Sequence, residues 1–156
     1  MTEKDKLLEE LRSHAKTIND ISENCADRLN QLAEEIKSMN LGIEVECDAP
    51  FFEEGFTFCN PDGSYASKRY QYLAFAKHKG EWKIVANSYT RGATMACLAG
   101  LPPKKSELTF ERTYLIEQLD RARRVQAHAH ERDLLGMIVA KAKEKVRELE
   151  SGYKRN

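Results

Sequence analysis

The sequence predicts an α+β fold in which a long, coiled-coil-like N-terminal helix and a long C-terminal helical region flank a three- or four-stranded antiparallel β-meander. Three observations carry this reading. Apolar residues keep a heptad spacing through the first 39 residues, aromatic-rich alternation with turn signals fills residues 43–89, and helical spacing returns from residue 106. With 156 residues, the chain is expected to be one domain spanning 1–156.

The first element is a helix over about residues 3–39. Thr2 and Asp5 have capping-box spacing, so hydroxyl and carboxylate satisfy amides that the first turn leaves unpaired. From Leu8 the seam steps 3, 4, 3, 4 through Leu8, Leu11, Ala15, Ile18, Ser22, Cys25, Leu29, Leu32, Ile36 and Met39, with Ser22 its single polar member. Leu7 and Ile21 widen the stripe, and Asn40 and Gly42 supply the stop. Such a helix is roughly 55 Å long, whereas a compact chain of this size is near 40 Å across, so an overhang is expected. Its apolar stripe must be covered by a second copy or by the C-terminal helices.

Residues 43–89 form the sheet. Ile43, Val45 and Cys47 alternate, and aromatic runs follow around Phe56-Thr57-Phe58 and Tyr70–Phe75. Asn60-Pro61-Asp62-Gly63 is a turn signal, and Lys79-Gly80 predicts a hairpin pairing 66–77 with 81–89. Residues 91–100 are small and apolar, which suits a buried connection or a short helix before Leu101-Pro102-Pro103. Residues 106–151 then read as one kinked helix or two, because the stripe Leu108–Val125 and the stripe Leu135–Leu149 lose phase between Gln126 and Asp133.

Composition bounds the class. Apolar residues are 41% and charged residues 32%, enough to fold and typical of solvated helix faces. No stretch approaches about 20 apolar residues, and the first residues lack a signal-peptide pattern, so a cytoplasmic protein without membrane contact is expected. Cys25, Cys47, Cys59 and Cys97 show no CxxC pair and are expected to be free thiols. Zero formal charge conceals an asymmetry: residues 1–60 hold 6 basic and 14 acidic side chains, and the rest hold 19 and 11. A net −8 therefore faces a net +8, which suits self-complementarity or, in second place, nucleic-acid binding by the basic part.

Motifs for chemistry are weak. His128 and His130 stand two apart, on different sides of a helix, and the i, i+4 ligand pair is absent. Cys97 and His78 are the sole Cys/His nucleophile candidates, and nothing in the sequence joins them. Glu44, Glu46, Asp48, Glu53 and Glu54 lack the spacing of a calcium loop and read as a solvated face. Tyr65, Tyr70, Tyr72, Phe75, Trp82 and Tyr89 read as filling between sheet and helices, with base stacking the alternative. No phosphate loop, dinucleotide fingerprint or triad signature is present, so neither cofactor, metal ligands nor catalytic residues are assigned.

The expected function is a structural or regulatory protein–protein interaction module, homodimeric or larger. Its seam is Leu8, Leu11, Ile18, Cys25, Leu29, Leu32, Ile36 and Met39. The first alternative is nucleic-acid association through Arg121, Arg123, Arg124 and Arg132, disfavoured because acidic residues punctuate that segment. The second is a small-molecule binder or enzyme with a pocket between the sheet and residues 92–100.

Overall fold

The computed structural model describes residues 1–58, 66–92 and 94–155. It begins with helix α1, Glu3–Ser38, about 54 Å long. The capping box forms: the Asp5 amide donates to the Thr2 hydroxyl at 3.2 Å, and the Thr2 amide donates to the Asp5 carboxylate at 3.0 Å. The Thr2 hydroxyl, and after it the Thr2 amide, holds the Asp5 carboxyl below its usual ionisation range. At the other end Asn40 takes a positive φ of 53° and stops the helix.

Four strands follow: β1 (Val45–Glu46), β2 (Phe52–Phe58), β3 (Ala66–His78) and β4 (Glu81–Gly92). All pair antiparallel. β1 and β2 lie end to end along one edge of β3, interrupted near Pro50, which has no amide to give the ladder. The amides of Cys47 and Phe51 still reach Leu73 O and Gln71 O across the break. Lys79 and Gly80 both adopt positive φ, the geometry of a two-residue hairpin turn, and register β3 against β4 from His78↔Glu81 to Ser67↔Gly92. The turn signal at 60–63 lies outside the described residues.

A short helix, α2 (Met95–Leu98), and a 3₁₀ turn (Lys105–Glu107) lead into β5, Thr109–Leu115, which pairs with the outer edge of β4. The segment 109–115 thus belongs to the sheet rather than to the C-terminal helices, and the sheet has five strands among the described residues. Thr109, Phe110, Thr113 and Tyr114 are β-branched or aromatic, and the open edge of β4 outweighs the helical spacing of Leu108 and Leu115. A second 3₁₀ turn (Ile116–Gln118) precedes α3, Arg121–Ala129, and α4, Glu131–Arg155. The two helices part at His130, where the apolar phase is lost.

The helices cover one face of the sheet. Leu73, Phe75, Ile84 and Ala86 point into a core shared with Leu29, Ala33 and Ile36 of α1, Leu119, Ala127 of α3, and Leu134 and Ile138 of α4. Each fully buried Leu or Ile there contributes about 1.5–3 kcal/mol. No helix among the described residues is long and apolar enough to cross a membrane.

Candidate functional site

Among the described residues, the N-terminal half of α1 is exposed apart from half-buried Asn19. Its buried residues are Ser22, Cys25, Ala26, Leu29, Ala33 and Ile36. Toward the N-terminus the same face emerges from the body: Leu11 is 63% exposed, Ile18 53%, Ile21 50%, and Leu7 and Leu8 are exposed as well. Of the sequence-derived seam, the structure therefore buries Cys25, Leu29 and Ile36, half-buries Leu32, and leaves Leu8, Leu11, Ile18 and Met39 exposed. Within the body the buried set follows the 3.6-residue helical period, so Ala33 takes the innermost place beside Leu32.

The projecting half, residues 3–21, is about 28 Å long. Its support is local: the cap at Thr2, a Thr17 hydroxyl donating to Ser13 O at 3.1 Å, and a Glu10–His14 pair at 3.8 Å. A helix of this length without packing is marginal in water, because propagation barely repays nucleation. Where it leaves the body lies an open cavity of about 690 Å³, lined by Asn19, Ser22 and Glu23 of α1 and by Leu119, Asp120 and Arg121 at the start of α3. Ser22 is buried there, and its hydroxyl has no hydrogen-bond partner among the described residues.

The basic set is divided. Arg121 and Arg132 are exposed, but Arg123 stacks on the Phe52 ring at 4.2 Å and meets Asp120 at 3.4 Å. Arg124 donates to Glu117 O at 2.7 Å. Two of the four arginines thus turn toward the body, and they do not form one phosphate-facing row. His128 pairs with Glu131 at 2.9 Å and His130 approaches Asp133 at 3.7 Å.

The second face of the sheet is covered by the segment between β4 and β5. Buried Arg91 reaches across to Glu107 (2.8 Å) and to Leu101 O (2.8 Å), tying both ends of that segment to β4. Glu46 is a second hub, accepting from Tyr89 Oη and Asn87 Nδ2 at 2.7 Å each and from Lys105 Nζ at 2.9 Å. Burial first, then the nearby Glu46 carboxylate, pushes the Tyr72 phenol up to about 12 and raises Tyr89 as well. Between the sheet and residues 92–100, the place of the pocket in the second alternative, lie buried Tyr70, Tyr72, Arg91 and Cys97.

The remaining candidates are dispersed. Cys97 follows the Gly92 end of the β3–β4 ladder and His78 sits at the opposite end, so no Cys/His pair forms. The five carboxylates split up: Glu44 accepts from the Lys77 amide, Glu46 forms the hub, Asp48 is exposed, and Glu53 and Glu54 pair with Lys68 and Arg69 at 3.2 and 2.7 Å. Glu46, Glu53 and Glu54 pair acidic front half with basic remainder within one chain. Tyr65 and Cys59 lie outside the described residues, while Cys25, Cys47 and Cys97 are free and buried.

Two features escaped sequence reasoning. The Arg91 and Glu46 hubs join residues 10 to 59 positions apart and leave no local pattern. On α4 the stripe also divides: Leu134 and Ile138 are buried, but Val139, Val146, Leu149 and Tyr153 are exposed at 3 and 4 residue multiples. That helix leaves the body past Leu41, whose carbonyl accepts from Lys145 Nζ at 2.7 Å, so its free end lies at the opposite end of α1's buried half from the projecting one. No protein family, curated protein or solved structure matches the chain.

Proposed function

We propose that this chain is a self-assembling interaction module: a strapped α+β body that carries a projecting helix through which it joins a second copy, acting by assembly rather than by catalysis. The observation that supports this reading is the exposed apolar face of residues 3–21, which continues without a slip the face that is core from Ser22 onward. An isolated exposed leucine is ordinary, but five large apolar side chains along one face of an otherwise unsupported helix form a contiguous patch that favours association. Within the body, Arg69 and Arg91 and the carboxylates Glu46, Glu53, Glu54 and Glu107 are engaged in internal pairs.

The test is molecular mass against concentration. Sedimentation equilibrium should show reversible dimer or larger species by concentrations on the order of 100 µM, the range expected for a modest helix-mediated interface. The double substitution Leu11→Glu with Ile18→Glu should give a monomer with an unchanged melting temperature at low concentration. A parent protein that stays monomeric throughout would overturn the proposal.

A further inference from the structure

Resting on that reading, we infer that the partner is a second copy whose projecting helix lies antiparallel, so that two copies bury residues 3–21 against each other across a two-fold axis. Three features of the fold lead there.

The first is obstruction. The seam that projects and the seam that is buried are one face of one helix, and from Ser22 onward that face is occupied by Leu119 and the start of α3. A parallel partner lying on Leu8–Ile18 would have to continue into that occupied space with its own body attached. The helix of an antiparallel partner stops there instead, because the capping box at Thr2 and Asp5 terminates it.

The second is the distribution of apolar residues beside the seam. With Leu8 at heptad position a, the g positions of the projecting half are Leu7, His14 and Ile21, and the e positions are Asp5, Arg12 and Asn19. Parallel helices oppose g to e, which would set Leu7 against Arg12. Antiparallel helices oppose g to g, which sets Leu7 against Ile21 on both sides of the axis and keeps the polar e positions together. Leu7 and Ile21, 61% and 50% exposed in the single chain, are covered in that arrangement alone. An isologous contact of this kind closes at two copies.

The third is length. Matching a to d positions places Leu8 opposite Ile18, Leu11 opposite Ala15, and Lys4 opposite Ser22. The first turn of the partner, with Glu3, Lys4 and Lys6, then lands on the mixed-charge cavity of about 690 Å³ lined by Glu23, Asp120 and Arg121. Two helices paired over about 28 Å bury on the order of 1,000 Å² in total, the lower limit of a specific interface, which fits reversible assembly.

Disulfide mapping on the full chain tests the geometry. A 1:1 mixture of Leu8→Cys and Ile18→Cys chains, oxidised gently, should form an 8–18 linkage at least ten times more abundant than the 8–8 linkage of Leu8→Cys alone, because bridging requires close Cβ atoms. Both positions are exposed, and linkages are assigned by mass spectrometry with the parent protein as control for its own cysteines. An abundant 8–8 linkage with no excess of 8–18 would establish parallel pairing and overturn the inference while leaving self-assembly intact. A monomeric parent in sedimentation would instead remove the proposed function beneath it.

Discussion

The two halves of α1 carry the same 3, 4 spacing and meet opposite surroundings. Residues 22–36 lie against the sheet and α3, where Leu29 is fully buried and Ile36 nearly so. Residues 3–21 present Leu7, Leu8, Leu11, Ile18 and Ile21 to solvent on the continuation of that face. Hydrophobic periodicity therefore fixes which face of a helix is sticky, and the length of the body fixes how much of that face is satisfied within one chain.

The sharpest way to break the comparison is to make one substitution in each half. Leu29→Ala removes a fully buried side chain from the core and should cost about 2–5 kcal/mol of stability. Leu11→Ala at low protein concentration should cost no more than about 0.5 kcal/mol, the scale of an exposed surface change. Urea denaturation reads both, and comparable losses at the two positions would mean that the projecting half is packed in the single chain.

Ser22 sits on the boundary, and the smaller effect expected there has the opposite sign. Its hydroxyl is buried without a partner among the described residues, so Ser22→Ala should stabilise the dilute protein by up to about 1 kcal/mol, by removing an unsatisfied group and adding helix propensity. A lower melting temperature in this variant would show that the hydroxyl makes a bond the fold depends on.

A further effect separates the halves by pH. Cys47 packs in the core that holds the buried half, and burial, then the neighbouring Asp133, pushes its thiol from 9.0 up to about 11. A raised acid favours folding while it stays neutral, so its contribution is complete below pH 9 and is lost as pH rises through about 11. The stability difference between the parent and Cys47→Ala should shrink over that window. A constant difference would show that the thiol is not confined as the core geometry implies.

The sequence by itself determined the coarse order of helix, sheet and helices, the face of α1 that seeks cover, the capping box, the hairpin at Lys79-Gly80 and the break between α3 and α4. Each is written in residues within a few positions of one another, where propensity and spacing act directly. The projecting surface was also legible as an excess of helix length over body diameter. Tertiary structure decided the rest. It made 109–115 a strand, because the open edge of β4 supplied hydrogen bonds that local helical spacing does not reveal. It turned Arg123 and Arg124 inward and strapped the second face with Arg91 and Glu46, through contacts between residues distant in sequence. It also set Ser22 as the point where one continuous apolar face passes from core to surface, since only the packed position of α3 defines where the body ends.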